Sequence, residues 1–298
     1  MFLKPWIAAA RLRTLPLAFA SIILGNFLAA SLGHFHLGIF LLTLFTTLCY
    51  QVLSNYANDY GDGVKGTDAR REGEARAVAS GVITAAQMRR AVWLFALLSL
   101  ISGTALSIWA TWALPWVVTL TFVILGFMAV GAAITYTVGK NAYGYHGLGD
   151  VAVLLFFGVI GVGGSYFMQT NAFNSEVLLP AVAMGLLAVG VLNLNNMRDR
   201  ESDRLAGKKT LVVIMGERGA KFYHALLLLV AFDAAFFYVK LMPGSLWQYL
   251  FFLTLPLLAF NLFKALGARR SKDYEPLLKQ LALTTLLWAL LFGLGQVL

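Results

Sequence analysis

The sequence predicts an all-α integral membrane protein: a bundle of about nine transmembrane helices carrying two Asp-rich cytoplasmic loops. Three observations lead there. Of 298 residues, 59% are hydrophobic and 12% charged, whereas a soluble domain is about half apolar and about a quarter charged. The apolar residues gather in runs near the ~20 residues that a helix needs to cross the hydrocarbon. The basic residues gather between alternate runs, as the positive-inside rule requires of cytoplasmic segments. Residues 1–298 therefore read as a single transmembrane domain.

Taken in order, the apolar runs lie near Thr14 to Gly33, Leu37 to Ala57, Ala91 to Thr111, and Leu114 to Tyr136. The rest lie near Leu148 to Thr170, Val177 to Leu194, Phe222 to Val239, Leu246 to Phe263, and Leu277 to Val297. The first run is long enough to span, and no small-residue cleavage site follows it, so a retained helix is expected rather than a signal peptide. With the N-terminus in the cytoplasm, every Lys and Arg except Lys240 falls on the cytoplasmic side. That bias accounts for most of the net charge of +9 without a nucleic-acid partner. A mean hydropathy of +0.75 agrees with the lipid bilayer as the surrounding medium. The lone Cys49 excludes a disulfide framework and a cysteine-rich zinc site.

Acidic residues concentrate in two places. Asp59, Asp62, Asp68, Glu72 and Glu74 follow the second run, and Asp199, Glu201, Asp203 and Glu217 follow the sixth. Asn55 and Asn195 stand 140 residues apart, as do Asp59 and Asp199, which suggests a duplicated helical unit. At helical spacing Gln51, Asn55, Asn58, Asp59 and Asp62 share one side of a helix end, and Asn195, Asp199 and Asp203 share another. Polar residues near membrane depth are costly and should face a cavity or one another. Carboxylates and amides without His or Cys form a hard oxygen site that suits Mg2+ better than zinc or copper. Magnesium is commonly held by a few carboxylates together with substrate phosphates. Arg71 and Arg76 in the first segment, with Arg198, Lys208 and Lys209 in the second, supply charge that could grip a diphosphate.

Two stretches, NYANDYGDGVKGTD from Asn55 to Asp68 and NLNNMRDRESDRLAGKKTL from Asn193 to Leu211, resemble the UbiA-type membrane prenyltransferases. Further likeness lies in AARLRTLPLAFA near Ala9, SGVIT at Ser80, ITYTVGKNAYGYHGLGD from Ile134 and GKKTLVV at Gly207. Together these cover about two thirds of the chain, and the last three spans add only hydropathy. Asn58, Asp59 and Asp62 fit the first Asp-rich motif, but its last position is Gly66, with Asp68 two residues on. That departure is similar to the branch acting on 1,4-dihydroxy-2-naphthoate in menaquinone biosynthesis, and counts against the 4-hydroxybenzoate branch. Glu74 stands where the family often has Pro.

The resemblance implies transfer of a polyprenyl group from polyprenyl diphosphate to 1,4-dihydroxy-2-naphthoate, with loss of diphosphate and CO2 to give demethylmenaquinone. On that reading Asp59, Asp62, Asp199 and Asp203 bind Mg2+. Asn55, Asn58, Arg71, Arg76, Asn195, Asn196, Arg198, Lys208 and Lys209 hold the diphosphate. Asp68, Lys140 and Tyr136 are catalytic candidates, Asp68 for the acceptor hydroxyl and Lys140 for its carboxylate. Tyr136, Tyr143 and Tyr145 could line the acceptor pocket or steady a carbocation, or form an interfacial aromatic belt. Gly158, Gly161, Gly163 and Gly164 suggest close helix packing, with a groove for the prenyl tail as the alternative. Two rival functions stay open: prenylation of 4-hydroxybenzoate or another phenolic acid, and secondary transport, which also uses duplicated halves.

Overall fold

The structure is a computed structural model that describes residues 3–67 and 76–298. Among these described residues nine helical segments are long and apolar enough to cross a membrane. They are Leu3–Ala30, Leu37–Lys65, Ala85–Thr111, Trp116–Thr135, Gly149–Thr170, Ser175–Leu205, Leu211–Leu241, Leu246–Gly267 and Ser271–Val297. They follow the nine apolar runs in order.

The difference lies at the acidic ends. The second and sixth spans do not stop where their apolar runs stop; they continue as helix to Lys65 and Leu205. Asp59, Asp62, Asp199 and Asp203 are therefore helical residues, as their spacing predicts. Apolarity marks where a helix leaves lipid, but a helix ends only where its last carbonyls are capped. Here the ending signal is a glycine in the left-handed region, Gly66 and Gly207, each at φ 74°. After the sixth span the Gly207 amide donates to Arg204 O (3.2 Å) and the Lys208 amide to Asp203 O (2.9 Å). These are the paired bonds of a Schellman cap.

The chain divides into two compact units. The first holds residues Met1–Leu15, Leu41–Gly149 and Asp199–Thr210; the second holds Pro16–Phe40, Asp150–Arg198 and Leu211–Leu298.

In the first unit Val52, Leu53, Tyr56 and Ala57 of the second span pack with Met88, Val92 and Ala96 of the third and Val130 of the fourth. The N-terminal turns Leu3–Ala10 dock on this core. Trp6 meets the Tyr56 ring edge-on at 5.7 Å, and Tyr56 OH donates to Trp6 O at 3.2 Å. The helix breaks at Arg11, whose φ of 48° lies in the left-handed region. Asn55 secures that break, donating to Ala10 O at 2.8 Å and to Thr14 Oγ1 at 3.3 Å, while Gln51 donates to Thr14 Oγ1 at 3.0 Å.

In the second unit the fifth span is wound as a π-helix over Leu154–Gly164. A Cβ on Gly158 would lie 2.5 Å from Ala181 O, and one on Gly161 would lie 2.8 Å from Ser21 Cβ. Bare backbone thus lets the first and sixth spans approach closely, the usual use of small residues in membrane helices. Gly163 and Gly164, by contrast, have no such neighbour within 4 Å. Buried His224 pairs its Nε2 with Asn261 Oδ1 at 3.0 Å, and Asn261 Nδ2 donates to Leu277 O at 3.1 Å, joining the seventh, eighth and ninth spans. Asp233 sits on an exposed face of the seventh span.

Candidate active site

The site is assembled in the first unit, which contains both acidic helix ends. Two glycines open the end of the second span. A Cβ on Gly61 would lie 2.8 Å from the backbone carbon of Thr137, and one on Gly63 would lie 2.7 Å from Val78 Cβ. Their absence of side chains seats the segment after the fourth span and the segment before the third directly beside Asp59 and Asp62.

Each acidic residue then takes a different role. Asp59 is 1% exposed, and its two carboxylate oxygens accept the backbone amides of Ala77 (3.1 Å) and Val78 (2.9 Å). It anchors the chain as it returns toward the third span. Asp62 accepts a hydrogen bond from Tyr145 OH at 2.7 Å and faces the Lys208 ammonium at 3.2 Å. The same ammonium lies 3.6 Å from Asp203. Asp62, Asp203 and Lys208 are all well sheltered, their side chains 5%, 14% and 14% exposed. Asp199 is buried in the same unit.

One cation shared by two sheltered carboxylates marks where this end of the unit needs positive charge. Two such carboxylates close together repel strongly in a low-dielectric setting unless a cation stands between them. Where the sequence suggests four carboxylates for metal binding, the structure draws Asp62 and Asp203 to one ammonium and gives Asp59 two amide partners. Among the described residues no three of His, Cys, Asp and Glu form a ligand group. An oxygen-only pair, with Lys208 standing in as the cation, fits Mg2+, which completes its shell with water and substrate phosphate.

The other sequence candidates fall as follows. Asn58 Oδ1 accepts from Thr137 Oγ1 at 3.2 Å, and Asn55 secures the Arg11 break described above. Tyr136 packs edge-on against Tyr143 at 5.2 Å, and its carbonyl accepts the Gly144 amide at 3.0 Å. Tyr143 OH donates to Ala132 O at 3.0 Å, and burial pushes this phenol above its ordinary pKa. Lys140 and Lys209 have exposed side chains, and the Lys209 amide donates to Tyr145 O at 2.9 Å. Arg76 opens the returning segment, its carbonyl accepting the Ser80 amide at 2.9 Å. Asp68 and Arg71 lie outside the described residues.

In the second unit Arg198 is buried and held by Glu275 and by Asn195 Oδ1 (2.7 Å). Its guanidinium fork therefore ties the sixth span to the start of the ninth, where sequence reasoning assigns it to the diphosphate. Asn196 is buried nearby in sequence. Sequence reasoning passes over Lys65, Thr67 and Thr137, and treats Tyr145 only as one of several aromatics. The available signal was the pair Gly61 and Gly63 bracketing Asp62, which announces close neighbours on both sides.

The UbiA prenyltransferase family profile matches residues 18–294. A 1,4-dihydroxy-2-naphthoate octaprenyltransferase from Escherichia coli is 45% identical over 293 residues, covering 98% of this chain and 94% of that protein. Its counterpart of the same name from Haemophilus influenzae is 43% identical over 296 residues, covering 98% and 96%. Among solved structures, an apo UbiA homologue from Aeropyrum pernix superposes with TM-score 0.67 at 16% identity over 95% of each chain. A UbiA homologue from Archaeoglobus fulgidus bound to GPP and Mg2+ gives 0.65 at 14% identity over 99% of each. At those identities the structural likeness speaks for the fold.

Proposed function

Because the chain belongs to the UbiA prenyltransferase family, we propose that it transfers a polyprenyl group from polyprenyl diphosphate to 1,4-dihydroxy-2-naphthoate, releasing diphosphate and CO2. The product is the hydroquinone form of demethylmenaquinone, since neither step oxidises the ring. The observation that carries the acceptor is near full-length identity to relatives whose names specify it. The observation that carries the chemistry is the cation held between Asp62 and Asp203.

Breaking the allylic C–O bond sends its electron pair to the diphosphate and leaves a delocalised carbocation. Bound Mg2+ supplies Lewis-acid stabilisation of that departing charge. Asp62 and Asp203 would hold the ion, with Asp199 as a further carboxylate in the same unit. Lys208 would swing from the carboxylates to the phosphate oxygens, since a flexible ammonium re-pairs with whichever anion is nearest. Arg71, Arg76 and Lys209 are the remaining candidates to grip the diphosphate. Preorganised charge of this kind is usually the largest catalytic contribution. Tyr136 and Tyr143 offer ring faces to the cation, and Lys140 or Asp68 would orient the acceptor. The electron-rich naphthol ring then forms the new C–C bond, and its carboxylate leaves as CO2.

The bias of the basic residues supports a reading in which these helix ends and the N-terminus lie on the cytoplasmic side of a bacterial inner membrane. The whole of 1–298 serves as one catalytic domain. A side-by-side assay in detergent with Mg2+, offering 1,4-dihydroxy-2-naphthoate and 4-hydroxybenzoate, tests the proposal. Product from the naphthoate alone supports it; product only from the benzoate, or none with either, overturns it.

A further inference from the structure

Tyr145 belongs to the short turn Tyr143–His146, and its side chain meets Asp62, Thr67, Lys65 and Lys208. Its O–H donates to Asp62 Oδ1 at 2.7 Å, with Thr67 Oγ1 at 3.2 Å from the same phenol oxygen. The Lys65 ammonium lies 4.1 Å from the ring centroid and the Lys208 ammonium 4.8 Å. Its carbonyl accepts the Lys209 amide at 2.9 Å, fastening the turn to the chain just past Gly207. One side chain thus addresses an anion through its edge and two cations through its π-system.

That combination has a physical purpose. A carboxylate free to rotate must be ordered again each time it takes a ligand, and a donor fixed to one oxygen removes that cost while leaving the other lone pairs available. Lys208 already ion-pairs with Asp62 and competes there with any incoming cation, whereas Lys65 lies over the ring. An aromatic face attracts ammonium groups without supplying a negative charge. It therefore keeps both lysines near the site yet ready to re-pair with phosphate oxygens.

We propose that Tyr145 is a positioning residue of the diphosphate site. Its hydroxyl orients Asp62 toward the metal, and its ring holds Lys65 and Lys208 in reserve for the anionic leaving group. The inference rests on the reading of Asp62 as a metal ligand, and the two can fail separately.

The test titrates Mn2+ into purified wild type, Tyr145→Phe and Asp62→Asn without substrate, following binding by electron paramagnetic resonance, with thermal melting to confirm folding. Tyr145→Phe keeps the ring and loses only the hydroxyl, so Mn2+ should bind about tenfold more weakly, the loss expected of one hydrogen bond to a charged group. Excess Mg2+ should recover most of the lost turnover, which general damage to the fold would not allow. Tyr145→Leu should in addition raise KM for the prenyl diphosphate about fivefold as both ring contacts vanish. Wild-type Mn2+ affinity in Tyr145→Phe, with weakened affinity in Asp62→Asn, overturns the role of Tyr145. Unchanged affinity in Asp62→Asn overturns the metal-site reading beneath it.

Discussion

Two ionic clusters adjoin in sequence near the end of the sixth span, and they are built in opposite ways. Arg198 uses a rigid guanidinium fork, buried and satisfied by Glu275 and Asn195. Lys208 uses a single ammonium on a flexible stem, 3.2 Å from Asp62 and 3.6 Å from Asp203. Arginine loses little freedom per hydrogen bond and suits a permanent join, whereas lysine is a mobile point charge. The first cluster fastens helices; the second, on the proposed reading, holds a place for another cation. Proximity in sequence conceals this division of labour.

Asp62→Ala or Asp199→Ala tests the comparison hardest. Each should cut turnover at least about 100-fold, the scale of losing a main electrostatic element, with the detergent-solubilised protein still melting cooperatively. Near-normal turnover in either variant would move that residue out of the metal site. Lys208→Ala comes next and should act in two directions. KM for the prenyl diphosphate should rise about tenfold with one charge-assisted contact gone, while Mn2+ without substrate should bind more tightly because its competitor is absent. A parallel loss of both affinities would contradict the placeholder role.

Glu275→Ala addresses the other cluster. It should destabilise by about 1–2 kcal/mol, less than the ~3–5 of a fully buried pair, because Glu275 remains 44% exposed. Melting should record that loss while both KM values stay put. A last pair of substitutions separates two glycines of the fifth span. Gly158→Ala forces a Cβ to within 2.5 Å of Ala181 O and should cost about 1–3 kcal/mol from overpacking. Gly163→Ala meets nothing within 4 Å and should be near neutral in melting. Any rise in KM for long-chain substrates in Gly163→Ala alone would favour a tail groove there.

Much of this was legible in the residues. The nine spans follow from apolar runs, since lipid allows few alternatives to helix. The pairing of two acidic helix ends follows from Asn55 with Asn195 and Asp59 with Asp199. Helical spacing places Asp62 and Asp203 on helix ends, but composition and periodicity leave open where those ends stop beyond lipid. Gly66 and Gly207 decide that, through backbone dihedrals that only the fold displays. The partner of each charge was equally hidden. Arg198 and Lys208 look alike as basic residues of one segment, and only Glu275, distant in sequence, gives the first a partner of its own. Tyr145 emerged from its contacts with Asp62, Lys65 and Thr67 at one helix end and with Lys208 past the other, all distant from it in the chain.

The most direct measurement is the anomalous signal of Mn2+ in crystals grown with an unreactive prenyl thiodiphosphate. The account predicts a peak about 2 Å from carboxylate oxygens of Asp62 and Asp203, with the Lys208 ammonium shifted onto the diphosphate. A peak away from both carboxylates, or a Lys208 still seated between them beside bound diphosphate, would contradict it.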